Sequence, residues 1–289
     1  MRRRSGLAGF PWLMLTFVEA ISLAGDRAKQ NDDTLGFQHK SAWVIDGATD
    51  LSETPLTKTA SDASWIAQVA NTSLNAWTYG DLREAVRTAS ETAASAFSYL
   101  TRGMSVERWQ LPTASLLMIA ENERGAIEGI DLGDCRIFAL DSDGVQVTGG
   151  HGGIDDEVKL AAMQPEADKP LLKRKAAIET LRRNRAALNQ ESGKVWTFGL
   201  HPACADHARS WTLRLKRPAH LLLMTDGFAA LSDRYNAYEP AELVTAAIGA
   251  GLQELGRELR AVELADAGGS RHPRFKQSDD ATAILLRLT

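Results

Sequence analysis

The amino-acid sequence predicts an α+β fold in which helices are layered outside antiparallel sheets. Short apolar runs that suit buried strands are joined in groups by turn residues, so we expect neighbouring strands to pair as hairpins. Two segments, residues 66–77 and 82–100, carry apolar residues at helical spacing and fall together between strand groups. Strands and helices therefore do not alternate one by one, which disfavours a parallel sheet of βαβ units.

The predicted strands are short apolar runs that end at turn residues. The first covers residues 16–23, and the second covers residues 42–45 and stops at the turn Asp46-Gly47. Segments 121–125 and 133–135 have the composition of hairpin turns. Further strands are predicted at residues 114–120, 126–132, 136–140, 145–147, 195–198, 211–215, 220–224 and 281–288.

The remaining helices follow from capping residues and periodicity. Asp81 is a suitable N-cap for the helix at residues 82–100. Residues 155–188 are charged and helical in pattern, with breaks at two prolines. A long helix is predicted at residues 240–266, with Pro240 in its first turn.

Composition excludes several classes of function. The 289 residues are 44% hydrophobic and 24% charged, as in ordinary globular proteins, and the net charge of −4 favours neither nucleic acid nor an anionic membrane surface as a partner. No apolar run is long enough to span a membrane. Cys135 and Cys204 form no CxxC pattern, which suits a reducing compartment and predicts a cytoplasmic location.

The N-terminus has two interpretations. Three arginines and a short apolar run in residues 1–15 have features of a signal peptide, but Glu19 interrupts the apolar character soon after. The alternative is a short tail over residues 1–15, followed by one domain over residues 16–289. We expect the tail, and a signal peptide remains the other interpretation.

Aspartates stand at the ends of several predicted strands. A carboxylate at the tip of a buried strand sits on a rigid base with accessible oxygens, and hard divalent cations take oxygen ligands. Asp-Gly alone is a turn signal, so the repetition is what predicts a shared metal site. The aspartates are Asp46 after residues 42–45, Asp226 after 221–225, Asp279-Asp280 before 281–286, and Asp32-Asp33 after the first strand.

Short motifs in a fixed order across residues 20–288 resemble those of the bacterial PP2C-like (PPM) family of metal-dependent serine/threonine protein phosphatases. The resemblance implies a four-layer α-β-β-α sandwich, with two central antiparallel sheets flanked by helices and a helical flap-like insertion around residues 155–190. The motifs are residues 25–33 (GDRAKQNDD), 43–49 (WVIDGAT), 112–115 (PTAS), 132–136 (LGDCR), 223–228 (LMTDGF) and 278–282 (SDDAT).

The resemblance also implies a set of metal ligands for two Mg²⁺ or Mn²⁺ ions. By position, Asp46 would bridge the two ions, and Asp226 and Asp279 would complete one of the sites. The backbone carbonyl of Gly47 and the carboxylate of Asp32 would serve the other ion. The family usually has glutamate where this chain has Asp32, so that contact is expected to run through water.

Other positions carry over in the same way. Asp134 stands where some members of the family bind a third metal ion. Arg27 stands near the family's phosphate-holding arginine but is one residue farther from the early carboxylate, and Lys29 is a competitor for that role. Ala48 and Thr49 follow Gly47 where animal members have a histidine proposed as general acid. Proton donation to the leaving group must then come from water or another residue.

The implied activity is hydrolysis of phosphoserine and phosphothreonine monoesters in proteins by water activated between two metal ions. The partners would be a phosphorylated protein substrate and a cognate Ser/Thr kinase. Two alternatives remain: a catalytically weak, phosphatase-like regulatory binding module, and a divalent-metal hydrolase of another phosphoester. The basic residues between 173 and 185 either recruit an acidic partner or form a solvated helix face.

Overall fold

The computed structural model describes residues 15–78, 80–150 and 174–289. Residues 1–14 of the predicted tail and residues 155–173 of the predicted insertion lie outside these ranges. Two antiparallel sheets are formed. Sheet I contains, in spatial order, β1 (Leu15–Leu23), β11 (Ala281–Leu288), β10 (Ala219–Met224), β6 (Arg136–Asp141) and β7 (Gly144–Gly149). Sheet II contains β2 (Asp33–Gln38), β3 (Ser41–Gly47), β4 (Thr113–Glu121), β5 (Ile127–Leu132) and β9 (Arg209–Leu213), with β8 (Phe198–Gly199) paired to β4.

Helices cover the outer face of each sheet. Three smaller elements lie in connections between strands: a 3-10 turn (Arg108–Gln110) between β3 and β4, α3 (Lys175–Ala186) between β7 and β8, and α4 (Cys204–His207) between β8 and β9. Sheet II packs against α1 (Asp62–Ala76) and α2 (Leu82–Leu100). Sheet I packs against α5 (Asp226–Asp233), α6 (Pro240–Ala250) and α7 (Leu252–Ala265). The predicted α-β-β-α sandwich is therefore confirmed.

The central strands are buried on both faces, and strand periodicity explains how. In β3, Trp43 and Ile45 face the helices, whereas Ala42 and Val44 face the other sheet. A strand covered on both faces has no polar side, so it appears in the sequence as a continuous apolar run. Gly36 lies opposite Trp43 in the β2–β3 ladder, where a Cβ atom would come 2.2 Å from the indole.

Local capping fixes where α1 and α2 begin. The side chain of Asp81 accepts a hydrogen bond from the backbone N–H of Arg83, which confirms the predicted N-cap. Helix α1 begins earlier than its apolar spacing indicated. Ser61 caps it, and its hydroxyl accepts from the backbone N–H of Ser64 at 2.9 Å.

Two sequence predictions about connections are wrong. Residues 133–135 do not make a hairpin, because β5 belongs to sheet II and β6 to sheet I; the chain crosses between sheets there, and Gly133 has a φ of +89°. The helix predicted at residues 240–266 is two helices, which Gly251 separates with a φ of +86°. The carboxylate of Glu19 accepts the N–H of Leu252 at 2.9 Å, at the start of the second helix.

Some elements are shorter than predicted or were not predicted. The strand predicted at residues 195–198 is only Phe198–Gly199. Strand β2 and helix α5 had no sequence prediction, since both begin with an aspartate that we interpreted as part of a turn or loop. Within the described ranges, no helix is long and apolar enough to cross a membrane.

Candidate metal centre

Asp33 and Asp46 lie directly opposite each other in the β2–β3 ladder. Both share strand parity with residues that face the other sheet, so their carboxylates point toward the layer between the sheets. Asp33 is 5% exposed, and its Oδ2 accepts from Thr225 Oγ1 at 2.7 Å. Its Oδ1 is buried without a hydrogen-bond partner among the described residues. Burial, with repulsion from Asp280 and Asp279, raises the pKa of Asp33 well above its usual range.

Asp226 approaches Asp46 from the other sheet. It is the first residue of α5, and only Thr225 separates it from β10. The carboxyl groups of Asp226 and Asp46 share a hydrogen bond, which requires a proton between them when no cation is present. Burial, and then the charges of Asp33, Asp226 and Asp134, raise the pKa of Asp46. Burial and the charge of Asp279 raise the pKa of Asp226.

Asp279 and Asp280 precede β11 and have different roles. Asp280 accepts the backbone N–H groups of Gly25 at 2.7 Å and Asp32 at 2.6 Å, so it fixes the loop that follows β1. Asp279 faces Asp226 and accepts from Lys276 Nζ at 2.6 Å. Burial opposes ionisation of Asp279, but the charge and hydrogen bond of Lys276 outweigh it and lower its pKa.

Asp32 lies to one side of this cluster. Its carboxylate accepts from the hydroxyl of Ser61, the N-cap of α1. Burial, with repulsion from Asp280 and Asp50, raises the pKa of Asp32 to about 6. Its backbone carbonyl accepts the N–H of Gly47 at 3.2 Å, so Asp32 and Gly47 are neighbours. A Cβ atom at Gly47 would come 2.7 Å from that carbonyl oxygen, which leaves room for glycine alone.

Sequence reasoning missed Asp33. The residue is adjacent to Asp32, and nothing in the sequence separates the two by residue type. The signal was the alternation of side chains along a strand. Asp33, Leu35 and Phe37 lie on the same face of β2, and Leu35 and Phe37 pack into the layer between the sheets. Prediction of β2 as a strand would have placed Asp33 inward and Asp32 to the side.

Asp134 joins the cluster through the third strand of sheet II. Ser115 is the ladder partner of Asp46, and its hydroxyl donates to Asp134 Oδ1 at 2.6 Å. The neighbouring thiol of Cys135 is buried, and burial followed by the charge of Asp46 raises its pKa. Cys204 is also buried, with a raised pKa. A thiolate nucleophile is therefore disfavoured at both cysteines.

The predicted cations occupy different parts of the structure. Arg27 is exposed in the loop after β1. The interpretation of residues 173–185 as a solvated face is wrong for two arginines of α3. Arg182 donates to the carbonyl of Leu51, and Arg185 donates to that of Thr49 at 3.2 Å. Helix α3 thus holds the loop that follows Gly47.

The chemistry of the donor set suits a hard divalent cation. Four neighbouring carboxylates repel one another, and the orphaned Asp33 oxygen has a lone pair to offer. Within the described ranges, however, no three Asp, Glu, His or Cys side chains are already grouped so that they could hold a metal ion. The carboxylates are brought together, but Asp279 is engaged by Lys276.

Solved structures settle the fold. The Mycobacterium tuberculosis serine/threonine phosphatase PstP/Ppp is similar at a TM-score of 0.58 and 17% identity, over 96% of this chain and 99% of that one. The chain has the PP2C phosphatase fold. The PPM Ser-Thr phosphatase MsPP from Mycobacterium smegmatis also has the PP2C fold, with a TM-score of 0.56 and 17% identity over 95% of this chain and 100% of that one. The S. agalactiae serine/threonine phosphatase has it too, with a TM-score of 0.54 and 16% identity over 96% of this chain and 100% of that one.

Metal is present in a further structure with this PP2C fold, the catalytic domain of PstP in complex with two manganese ions, at 17% identity and a TM-score of 0.57. No protein-family model matches the present chain, and no curated protein matches its sequence. At these identities, the likeness to solved structures establishes the fold.

Proposed function

We propose that the protein is a metal-dependent phosphatase that hydrolyses phosphoserine and phosphothreonine monoesters in proteins. One observation carries the proposal: Asp33 and Asp46 from sheet II meet Asp226 and Asp279, which adjoin strands of sheet I, in one acidic cluster. Close, buried carboxylates are costly unless a cation binds among them. The similarity of the fold to solved serine/threonine phosphatases supports the choice of substrate.

The ligand assignments belong to the same proposal. Asp46 lies centrally and would contact two ions, with Asp226 and Asp279 completing one set. Gly47 through its carbonyl, and its neighbour Asp32, would serve the other set. Asp134, held by Ser115, would serve a third ion, and Asp33 adds a carboxylate whose Oδ1 lacks a partner. Mg²⁺ or Mn²⁺ bound there would supply an activated water and positive charge for the phosphoryl oxygens.

The chain's own residues position this chemistry. Thr225 donates to Asp33 and accepts the N–H of Thr282 at 3.0 Å, so one hydroxyl holds β2 against β10 and β11. Asp280 anchors the loop that carries Arg27 and Asp32 through two backbone N–H groups. The segment after Gly47 has no histidine before residue 151, so the leaving-group proton comes from water or another residue.

A metal titration against two kinds of substrate tests the proposal. Protein stripped with EDTA should be inactive, and Mn²⁺ or Mg²⁺ should restore hydrolysis of both an aryl phosphate and phosphoserine or phosphothreonine peptides. Full activity in excess EDTA would contradict metal dependence. Hydrolysis of the aryl phosphate alone would favour another phosphoester as the substrate. Absence of all turnover, with metal bound, would favour a regulatory binding module.

The biological setting follows from the substrate. A protein phosphatase acts on phosphoproteins that a kinase has produced, so the proposal includes a cognate Ser/Thr kinase as a partner. It also includes a cytoplasmic location, where such phosphoproteins are found. Phosphoproteomic comparison of cells with and without the protein would identify the accumulated phosphosites.

A further inference from the structure

The acidic cluster contains a cation of its own. Lys276 lies three residues before Asp279, and its Nζ is 2.6 Å from Asp279 Oδ1. Its positive charge also acts on Asp280 and Asp46. An ammonium group at this distance from a carboxylate occupies one of the directions from which a metal ion would bind.

The backbone holds Lys276 in this place. Arg274, two residues earlier, is buried and donates to the carboxylate of Asp266 at 3.0 Å and to the carbonyl of Gln277 at 2.9 Å. Phe275 packs against Ala177 of α3. The segment is therefore anchored on both sides of Lys276, and its side chain, 34% exposed, does not move freely in solvent.

The cavity beside Lys276 argues against direct phosphate binding. It is lined by Asp226, Asp279, Arg234 and Arg274 among others, and its volume of about 10 Å³ is room for roughly one water molecule. A phosphoryl group does not fit there. The contact that Lys276 does make is the ion pair with Asp279, and that contact reduces the availability of one carboxylate for a metal ion.

We propose that Lys276 is a tethered counter-ion that competes with a divalent metal ion for Asp279. This inference rests on the proposed function, because it concerns the metal site of the same phosphatase. It accounts for two observations together: the carboxylates form one neighbourhood, yet among the described residues no three acidic or other ligating side chains are grouped to hold an ion. A metal ion that binds through Asp279 Oδ1 must first displace Lys276 from that oxygen.

The test is Mn²⁺ binding to the full chain without substrate, measured by the electron paramagnetic resonance signal of free Mn²⁺. Lys276→Met removes the charge and keeps the length of the side chain. We expect its weakest Mn²⁺ site to tighten about 10- to 100-fold, the range that groups adjoining metal ligands commonly control. Lys276→Gln keeps a hydrogen-bond donor for Asp279 but carries no charge, and its weakest Mn²⁺ site should tighten similarly. It replaces Lys276→Met in the test if that variant does not fold.

Lys216→Met is the matched control. Lys216 pairs with Asp143 at 2.7 Å, both side chains are more than 60% exposed, and the pair lies outside the cluster. The control should bind Mn²⁺ as the wild type does. In metal-free buffer, Lys276→Met should also unfold at a lower temperature than the control, since Asp279 then lacks its cation.

The outcomes separate the two proposals. Unchanged or weaker Mn²⁺ binding in both Lys276 variants, with wild-type binding intact, would overturn the competition and leave the phosphatase proposal standing. Tighter binding without hydrolysis of any phosphoester by wild type or variants would support the competition and defeat the phosphatase proposal. If no form of the protein binds Mn²⁺, both proposals are wrong.

Discussion

Asp33→Asn is the substitution that best distinguishes a metal site from a structural cluster. The amide keeps an acceptor for Thr225 Oγ1 and removes one negative charge from among Asp46, Asp226 and Asp279. Removing a charge relieves the repulsion that raises the pKa values of these carboxyl groups. One pKa unit corresponds to about 1.4 kcal/mol, so we expect metal-free stability to rise by about 1 kcal/mol.

Two measurements follow from this change. In EDTA, the thermal midpoint should rise by roughly 2–4 °C, the usual shift per kcal/mol for a chain of this size. In Mn²⁺, the stabilisation that the ion confers should shrink, because affinity falls about 10- to 100-fold when a group that supports the ligands is lost. Urea unfolding with and without Mn²⁺ measures both effects.

Asp131→Asn provides the control. Asp131 is also a buried aspartate of sheet II, 2% exposed, but it has partners: Arg209, and the indole N–H of Trp211 at 2.7 Å. Its loss should destabilise the protein by about 1–3 kcal/mol and leave Mn²⁺ binding unchanged. If Asp33→Asn behaves as Asp131→Asn does, the cluster is structural and the reasoning from unpaired carboxylates is refuted.

Further predictions concern the cluster and the core. Asp46→Asn should reduce turnover with Mn²⁺ by several orders of magnitude while circular dichroism shows an intact fold; near wild-type turnover would contradict this. Cys135→Ser and Cys204→Ser should each retain most activity, and loss of turnover in a folded variant would indicate a thiol mechanism. Folding raises the pKa of Asp46, so this group stabilises the metal-free protein most below about pH 4. That stabilisation is lost as the pH rises through the pKa of the folded state. Thermal midpoints measured in EDTA should therefore fall from pH 5 to pH 8. Gly36→Ala should cost about 1–3 kcal/mol in urea unfolding, because its Cβ would overlap the indole of Trp43.

Much of the sandwich could be predicted because its central strands and outer helices have clear patterns. The apolar run at residues 42–45 and the helical spacing at residues 82–100 each identify their element without tertiary information. The crossing at Gly133 could not be predicted in the same way. A short Gly-Asp segment between two strands has the same composition whether the strands pair with each other or belong to different sheets.

For the site, the sequence could predict which strands have an aspartate at one end. Which carboxylate of an adjacent pair points inward depends on strand parity, and that decided between Asp32 and Asp33. Lys276 had no signal, because a lysine three residues before an acidic pair is ordinarily a solvated loop residue. The roles of Arg182 and Arg185 depend on how α3 docks against the loop after Gly47, which no local pattern specifies.

The origin of the carboxylates in two different sheets has a consequence for ion size. Asp33 and Asp46 move with sheet II, whereas Asp226 and Asp279 move with sheet I, so the spacing between the sheets sets the width available to an ion. That spacing is held by a tightly packed layer that includes Val44, and packed interiors resist compression and expansion alike. Ions with oxygen distances near 2.0–2.1 Å, such as Mg²⁺, and ions near 2.3–2.6 Å, such as Ca²⁺, therefore meet a gap of fixed width. The packing of the apolar layer therefore contributes to discrimination between Mg²⁺ and Ca²⁺ as much as the ligands do. Val44→Ala should alter the metal preference although it changes no carboxylate.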